Sequence, residues 1–321
     1  MTLAELQKVF LTHEDIFTDI LGQKQVKEGL KSAILVGRNV IIQGSPGVGK
    51  TTLAKNVAVL LPHHGKKDRS APFVRVQGSP DLTAEDLFGD IDPIKALKFG
   101  PLSTEAFTPG KIFKADQGVL FFDELNRCPE KLQNALLQVL QERVVTIGSY
   151  AVDFKADFIF IATMNPEDTN TEKLSTVLLD RMDVLTMVYP ETQQIEEEIV
   201  LQKGKKLDVV FPAELLRFCV GFVRELRENS HLLQVPSVRA SLGLYERSQS
   251  MALLSGKKEV NMEHVRQVMD SILSHRLVLK PSVKYLKKPA EFVKEAYEQY
   301  LQHKGVSLGK ETHEEEQGEA P

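Results

Sequence analysis

The sequence predicts a doubly wound α/β domain followed by a smaller helical domain, and two patterns lead to this prediction. First, five short apolar runs alternate with helical stretches between residues 39 and 190. Such runs are typical of parallel strands covered on both faces, and their alternation with helices is typical of a doubly wound sheet. Second, residues 191–281 show helical periodicity and no convincing strand. We therefore expect a domain boundary near Pro190.

The five apolar runs are predicted to form one five-stranded parallel sheet. They are NVIIQ (39–43), PFVRVQ (72–77), GVLFFDE (118–124), FIFIAT (158–163) and VLTMVYP (184–190). Helices are predicted before and between them, because apolar residues recur at helical spacing. The clearest helical segments are 19–35, 50–61 and 130–143.

Two segments are longer than simple connections. Residues 88–112 contain Gly-Pro and Pro-Gly turns, which predict a hairpin inserted within the second helix. Residues 143–154 form two alternating runs around Gly148-Ser149, which is a second hairpin signal. Beyond the helical domain, residues 282–321 predict a charged helical extension, interrupted by Pro289, and then an acidic tail with the composition of a disordered segment.

Composition limits the classes of protein to consider. Hydrophobic residues make up 42% and charged residues 26% of the chain, which is typical of a globular protein. No window approaches the ~18 apolar residues of a membrane span and the N-terminus lacks a signal-peptide pattern, so we expect a cytoplasmic protein without a membrane span. The net charge of −4 argues against nucleic acid as a partner, although a local basic patch stays open. The two cysteines, Cys128 and Cys219, have no disulfide or zinc-site spacing.

The strongest motif lies between the strand predicted at 39–43 and the helix predicted at 50–61. Residues 44–51, GSPGVGKT, match the phosphate-binding pattern G-x-x-x-x-G-K-[ST] in full. In this pattern glycines turn backbone N–H groups toward phosphates, the lysine reaches the β and γ oxygens, and the threonine hydroxyl binds Mg²⁺. ATP and Mg²⁺ are thus the expected cofactors. The predicted nucleotide-binding residues of this loop are Gly44, Ser45, Pro46, Gly47, Val48, Gly49, Lys50, Thr51 and Thr52.

Polar residues follow two later strands. Asp123 and Glu124 end the third apolar run, where one carboxylate can hold the metal, together with Thr51, and the other can polarise a water. An N-cap pair is the alternative reading of two acids at this place. Asn165 follows the fourth strand and would lie beside Glu124 if that strand is between the first and third. An Asn-Pro turn is equally compatible with that sequence.

These motifs together resemble an AAA+ ATPase. Residues 44–51 correspond to Walker A, LFFDE to Walker B, ATMNP to sensor 1 and LLDRMD to an arginine-finger segment. The stretch FTPGKIFKADQGVLFFDELNRCPEKLQNALLQVLQERVVTI is similar to the MoxR and magnesium-chelatase I-subunit branch, which carries a helix-2 insert and a pre-sensor-1 hairpin. The resemblance implies an AAA+ P-loop core with a five-stranded parallel sheet in residues 1–190 and an all-helical lid in residues 191–281.

The resemblance also implies further site residues. DILGQKQVKEGL resembles the N-terminal box of the family, in which Ile20, Leu21 and Gly22 would flank the adenine. PSVRASLGL resembles the sensor 2 helix, with Arg239 reaching the γ-phosphate from the lid.

Arg181 would act in trans, from a neighbouring subunit, by the same resemblance. A surface ion pair of Arg181 with Asp180 or Asp183 is the alternative, and Arg127 and Arg143 are competing candidates for the arginine finger.

The function implied by the resemblance is that of an ATP-hydrolysing ring motor, expected as a hexamer, that remodels a partner protein or assists its assembly or metal insertion. The chain contains no integrin-like, von Willebrand A-type domain, so such a partner would be a separate protein. Two rival readings are a DNA-dependent AAA+ motor, which DNA stimulation of the ATPase would reveal, and a regulatory switch that binds ATP without turnover.

Overall fold

The chain forms two compact units. The computed structural model describes residues 7, 10–11, 15–61, 71–100, 103–146, 153–166 and 174–304. Contacts within the chain divide it into Met1–Ile195 and Glu196–Pro321, a division a few residues after the expected boundary at Pro190.

The first unit is built on a five-stranded parallel sheet, as predicted. Its strands are β1 (Asn39–Gln43), β2 (Phe73–Gln77), β3 (Val119–Asp123), β4 (Ile159–Met164) and β5 (Met182–Thr186). They lie side by side in the order β2, β3, β4, β1, β5, and every neighbouring pair is parallel. Strand β4 therefore lies between β1 and β3, which is the condition for Asn165 to lie near Glu124.

Helices cover both faces of this sheet. Successive side chains of a strand point to opposite faces, so a continuous apolar run makes both faces apolar. The longer helices of the unit are α1 (Lys24–Leu35), α2 (Lys50–Leu60) and α3 (Glu130–Glu142). Phe121 and Ile161 pack in a core with residues of α1 and α2. Their strand neighbours Phe122 and Phe160 pack on the other side with residues of α3. The continuous apolar runs thus reflect burial on both faces.

The prediction of the fifth strand is wrong in its bounds. Strand β5 begins at Met182 and ends at Thr186, so the residues 187–190 are not part of it. Its register pairs Asn39 with Met182 and Gln43 with Thr186, and hence the length of β1 limits it. Met187 is apolar for a different reason, since it is buried beside the loop that follows β1, whereas Val188 is exposed.

Two small hairpins interrupt the α/β pattern. Gly89–Ile91 pairs antiparallel with Phe107–Pro109, and Val144–Thr146 pairs antiparallel with Asp153–Lys155. Residues 147–152, including the predicted turn at Gly148-Ser149, lie outside the described residues. The remaining short helices of the unit are Ala84–Phe88, Pro93–Phe99, Lys111–Lys114 and Thr176–Leu179, with single 3₁₀ turns at Thr104–Ala106 and Leu125–Arg127.

The second unit is helical, as predicted, but it also contains a short ribbon. Its helices are α4 (Gln193–Lys203, which begins in the first unit), α5 (Ala213–Glu228), α6 (Val238–Leu254), α7 (Met262–Leu273), the short Pro281–Lys284 and α8 (Pro289–His303). Leu232–Gln234 and Val278–Leu279 pair antiparallel, which helical periodicity could not indicate. No helix among the described residues has the length and apolar character needed to cross a membrane.

Helix α8 is part of the core of this unit. It begins at Pro289, whose missing N–H is not needed in the first turn of a helix. Tyr297 and Tyr300 each pack against Phe218 and Phe222 of α5, with ring centroids 4.9–5.9 Å apart. Aromatic contacts at these distances add to the burial of apolar surface. The acidic tail, residues 305–321, lies outside the described residues.

A buried carboxylate joins three helices of the second unit. Glu196 of α4 is 0% exposed. Its two oxygens accept hydrogen bonds from Arg227 of α5 at 2.6 and 2.7 Å, and Oε1 also accepts one from Ser241 of α6 at 2.6 Å. A buried ion pair that is satisfied in this way contributes little net stability, but removal of one partner leaves the other charge buried and unpaired.

We predict that Glu196→Ala lowers the free energy of unfolding of this unit by about 3–5 kcal/mol, because Arg227 would lose its counter-ion inside the protein. Urea unfolding followed by circular dichroism measures the change. Glu198→Ala, two residues along the same helix at an exposed position, is the matched control and should change stability by less than about 0.5 kcal/mol. Equal effects of the two substitutions would contradict the assigned role of Glu196.

Candidate nucleotide-binding site

The phosphate-binding motif forms the turn between β1 and α2. Gly44 has φ 152°, and a Cβ atom there would lie 2.2 Å from the carbonyl oxygen of Met187. Gly49 has φ 106° and is the residue before the first turn of α2. Only glycine fits both positions, since the first admits no side chain and the second has a left-handed backbone. The motif thus has the backbone path that brings N–H groups to a helix N-terminus, where anions bind.

Lys50 and Thr51 occupy the first turn of α2. The ammonium group of Lys50 donates hydrogen bonds to the carbonyl oxygens of Gly44 and, at 2.9 Å, of Ser45. These bonds hold the lysine side chain back over the loop. Thr51 follows directly in the same turn, and contact of its hydroxyl with a metal stays a prediction.

Asp123 and Glu124 lie at the carboxyl end of β3, and the hydroxyl of Thr163 on β4 holds both. Thr163 donates a hydrogen bond to Asp123 Oδ1 at 2.6 Å and accepts one from the backbone N–H of Glu124 at 3.0 Å. Thr163 is 0% exposed. One buried hydroxyl therefore fixes the orientation of the first acid and the backbone of the second.

Glu124 has a left-handed backbone conformation, with φ 56° and ψ 52°. This conformation costs a non-glycine residue roughly 1–2 kcal/mol, and such residues are concentrated at functional sites. Gly78, directly after β2, packs against this turn: a Cβ atom there would lie 2.1 Å from the carbonyl oxygen of Glu124. The acid pair is thus followed by a sharp turn and not by the first turn of a long helix, which disfavours the simple N-cap reading.

Side chains of the edge strand β2 and of the following turn contact the same two acids. Arg75 Nη2 lies 2.5 Å from Asp123 Oδ2 and 3.2 Å from Gln77 Oε1. Gln77 in turn donates to Glu124 Oε2 at 2.9 Å, and Arg127 Nε lies 3.4 Å from the same oxygen. Each acid therefore has an arginine of its own, and Gln77 connects the two pairs.

Asn165 lies at the same edge of the sheet. Gln43 pairs with Met164, and Gly44 N–H donates to the carbonyl oxygen of Met164 at 3.3 Å, so Asn165 comes next to the start of the phosphate loop. The carbonyl oxygen of Asn165 accepts a hydrogen bond from Asn126 Nδ2 at 3.3 Å. The structure thus brings Asn165, the turn after Glu124 and the start of the phosphate loop together.

The N-terminal segment contacts the end of α2 that carries the loop. A Cβ atom on Gly49 would lie 3.1 Å from Ile20 Cδ1, and Ile20 is 7% exposed. Gly22 has φ 67°, and a Cβ atom there would lie 2.7 Å from Glu191 Oε2. Ile20 thus lies close to the loop, whereas Gly22 lies beside Glu191. Contact of Ile20, Leu21 and Gly22 with adenine stays a prediction.

The amide of Gln23 fastens this N-terminal segment. Its Nε2 donates to the carbonyl oxygen of Val188 at 2.7 Å, and its Oε1 accepts from the N–H of Val188 at 3.4 Å. A primary amide that pairs with both backbone groups of one residue fixes the position of the segment relative to the residues after β5.

The three arginine-finger candidates have different surroundings. Arg143 donates to the carbonyl oxygen of Phe158 at 2.6 Å, and burial lowers the pKa of Arg143. Arg127 is paired with Glu124 of the same chain. Arg181 donates to the carbonyl oxygen of Val177 at 2.8 Å.

The neighbours of Arg181 also bear on its alternative reading as a surface ion pair. With the Gln141 amide turned so that its oxygen faces the guanidinium, Arg181 Nε and Nη2 donate to that oxygen at 2.6 and 3.2 Å. Asp183 is paired instead with Arg38, at 2.8 Å. Arg181 is therefore held by uncharged groups of its own domain.

Arg239 belongs to the second unit. It is exposed in the first turn of α6, after Ser237, whose hydroxyl accepts a hydrogen bond from the N–H of Arg239 at 3.3 Å. Its reach to the phosphates stays a prediction.

The donor set suits a magnesium nucleotide. No group of three or more His, Cys, Asp or Glu side chains among the described residues could hold a metal ion by itself. Mg²⁺ in phosphate sites is typically held by one or two protein oxygens together with the phosphates and waters. One hydroxyl on α2, Thr51, and one carboxylate at the end of β3, Asp123, fit that requirement.

Sequence reasoning missed three side chains that support the site. Thr163, Arg75 and Gln23 each hold a predicted residue or its segment through the contacts described above. Thr163 left a weak signal, because it is a hydroxyl residue inside an apolar run two positions before Asn165. Arg75 likewise stands between two valines.

The family comparisons agree with this geometry. The AAA domain of the dynein-related subfamily matches residues 39–182, and the AAA lid domain matches residues 225–296. The first match runs from β1 to the start of β5 and the second lies within the helical unit. The chain belongs to the AAA+ family of nucleotide-binding proteins.

The chain is similar to curated proteins of the MoxR and magnesium-chelatase branch of this family. It is 29% identical over 297 residues to Chaperone MoxR1 of Mycobacterium tuberculosis, which covers 81% of this chain and 73% of that one. It is 26% identical over 330 residues to the magnesium-chelatase 38 kDa subunit of Chlorobaculum parvum, which covers 81% and 90% respectively. A solved complex of the BchI and BchD subunits of magnesium chelatase contains a chain 23% identical to this one, with a TM-score of 0.47 and coverage of 84% and 98%.

We predict that Thr163→Val lowers the free energy of unfolding by about 1–3 kcal/mol, because Asp123 Oδ1 and the N–H of Glu124 lose their shared partner in a buried place. Thermal unfolding of the first unit measures this loss. Thr163→Ser keeps the hydroxyl and is the matched control, with a smaller loss expected. If serine, which loses the methyl group, and valine, which loses the hydroxyl, destabilise equally, the hydroxyl matters no more than the packing of the methyl group, and its assigned role is contradicted.

Proposed function

We propose that this protein is a Mg²⁺-dependent ATPase that works as a ring of like subunits and uses hydrolysis to remodel a partner protein or assist its assembly. The observation that carries the proposal is the meeting of three strand ends at one edge of the sheet. The phosphate loop follows β1, the acid pair ends β3 and Asn165 follows β4, which lies between them. Family membership supports nucleotide hydrolysis in general terms.

Each residue has a role that follows from its position and chemistry. The loop N–H groups and Lys50 bind the β- and γ-phosphates, and Thr51 and Asp123 hold the metal. When bound there, Mg²⁺ would supply positive charge that offsets the negative charge developing during phosphoryl transfer. Glu124 accepts a proton from the attacking water, and Asn165 orients that water or the γ-phosphate with a neutral amide.

Arginines would complete the site during phosphoryl transfer. Negative charge spreads over the transferring group, and guanidinium groups stabilise it well. We assign this role to Arg181 of a neighbouring subunit and a γ-phosphate contact to Arg239 of the lid. The support for Arg181 is that Arg127 is paired with the carboxylate of Glu124 and that burial lowers the pKa of Arg143, whereas the partners described for Arg181 are uncharged. An arginine supplied across an interface makes hydrolysis depend on assembly.

The partner is proposed to be a protein. One curated relative is by name a chaperone, and another is a subunit of a metal-inserting enzyme. In keeping with these names, we place the output of this chain in the assembly or metal loading of another protein, with a separate von Willebrand A-type subunit as a candidate partner. A hexamer is the ring size that we propose.

We predict that Glu124→Gln lowers the rate of ATP hydrolysis at least about 100-fold, because the amide cannot accept the proton of water. Nucleotide affinity should change little, since the contacts described for Glu124 are with Gln77, Arg127 and Thr163, which lie outside the phosphate loop. Phosphate release and binding of a fluorescent nucleotide measure the two quantities. Glu298→Gln, at an exposed position of α8, is the control and should leave both unchanged. Parental turnover by Glu124→Gln would overturn the assignment of the base.

We predict that Lys50→Ala and Arg181→Ala subunits, each inactive alone, recover part of the ATPase activity when mixed. A mixed ring contains sites whose Lys50 and neighbouring Arg181 are both intact. The matched control replaces Arg181→Ala by the double variant Lys50→Ala/Arg181→Ala, which provides no intact Lys50. Native mass spectrometry verifies that the subunits have mixed. Mixed rings with no activity at any ratio would exclude action of Arg181 in trans.

A further inference from the structure

We propose that Arg75 is a resident counter-ion of Asp123 that Mg²⁺ must displace, so that Arg75 sets the magnesium concentration at which the site binds nucleotide. The inference rests on the proposed function, because it takes Asp123 as the residue that holds the metal.

The argument begins with the two oxygens of Asp123. Oδ1 accepts the hydrogen bond of the buried Thr163 hydroxyl at 2.6 Å, and this neutral contact orients the carboxylate. Oδ2 therefore remains as the oxygen that can face a cation. Arg75 Nη2 lies 2.5 Å from Oδ2, so a positive charge already occupies that side of the carboxylate.

Strand geometry places this charge. Gln77 is the register partner of Asp123, and Arg75 lies two residues earlier on β2, on the same face of the sheet. Its long side chain reaches forward along the strand to the carboxyl end. The second contact of Nη2, with Gln77 Oε1 at 3.2 Å, helps to hold the guanidinium in this extended position.

The exposure of the pair suits a displaceable counter-ion. The Arg75 side chain is 51% exposed, and that of Asp123 is 13% exposed. Since β2 is an edge strand, Arg75 can move out to water without disturbing the core. A partly exposed ion pair is weak enough for a divalent cation to compete with it. If Arg75 stayed beside a bound Mg²⁺, the two positive charges would repel each other. Whether Arg75 moves away or stays, its presence therefore weakens the binding of Mg²⁺.

The ion pair between Arg75 and Asp123 should oppose the binding of Mg²⁺. An ion pair of this kind typically contributes less than about 1 kcal/mol, so its loss should shift a competing equilibrium by roughly two- to fivefold. Replacement of Arg75 by an uncharged residue of similar length should therefore lower the Mg²⁺ concentration needed. If Arg75 instead supported the metal-binding carboxylate, its replacement would raise the Mg²⁺ concentration needed.

The experiment titrates the full-length protein with Mg²⁺ at a fixed concentration of N-methylanthraniloyl-ADP and measures the midpoint of the fluorescence change. We expect Arg75→Gln to lower the midpoint roughly two- to fivefold. Arg75→Lys keeps a positive charge and should stay closer to the parental midpoint. Arg38→Gln is the matched control, because Arg38 is also about half exposed and ion-paired, to Asp183 at 2.8 Å, and it should leave the midpoint unchanged.

A second comparison isolates the contact. In an Asp123→Asn background the effect of Arg75→Gln should vanish, since the counter-ion no longer has its carboxylate. An unchanged or raised midpoint in Arg75→Gln, or an equal decrease in Arg38→Gln, would overturn the proposal. If the parental protein itself binds the nucleotide without any dependence on Mg²⁺, the proposed magnesium site fails, and this result is distinct from a failure of the role of Arg75. Circular dichroism establishes that each variant is folded.

Discussion

The hydroxyl of Thr163 joins two strands at the one place where the proposed chemistry needs them to be in register. It contacts the side chain of Asp123 and the backbone of Glu124 at the same time. A parallel sheet brings the carboxyl ends of its strands to one edge, but this alone leaves the acids free to rotate. The threonine removes that freedom. The contacts of Arg75 and Gln77 with these acids depend on acids held in this way.

The side chains that contact the two acids are polar, and their hydrogen bonds and ion pairs satisfy the carboxylate oxygens. Buried or half-buried polar groups are stable only when their hydrogen bonds are satisfied. Arg75, Gln77 and Arg127 satisfy the outer oxygens of the two acids, while Thr163 satisfies the inner one. A site assembled from such contacts can exchange one partner for a ligand without exposing an unpaired charge. The buried Glu196 of the helical unit follows the same rule, although it has no part in the chemistry.

Much of the fold and the main site residues could be predicted from the sequence, because each carries a local signal. The sheet was visible in its apolar runs, and Lys50, Asp123 and Asn165 each stand where a strand or a phosphate loop ends. Contacts between distant side chains had no such signal. The partner of Thr163 depends on the register of β3 and β4, and that of Arg75 on the fact that β2 adjoins β3. Among the three consecutive glutamates 196–198, only the rotation of α4 decides that Glu196 is the buried one. The bounds of β5 depended in the same way on the length of β1.

The left-handed backbone of Glu124 makes this position one where stability and chemistry demand different residues. Glycine would adopt the same φ and ψ without the roughly 1–2 kcal/mol that a side chain costs there. The chain nevertheless keeps a carboxylate, held by Gln77 and Arg127, at the point where the backbone least tolerates it. Glycine at position 124 is therefore expected to stabilise the protein. The same substitution would remove the carboxylate on which turnover is proposed to depend.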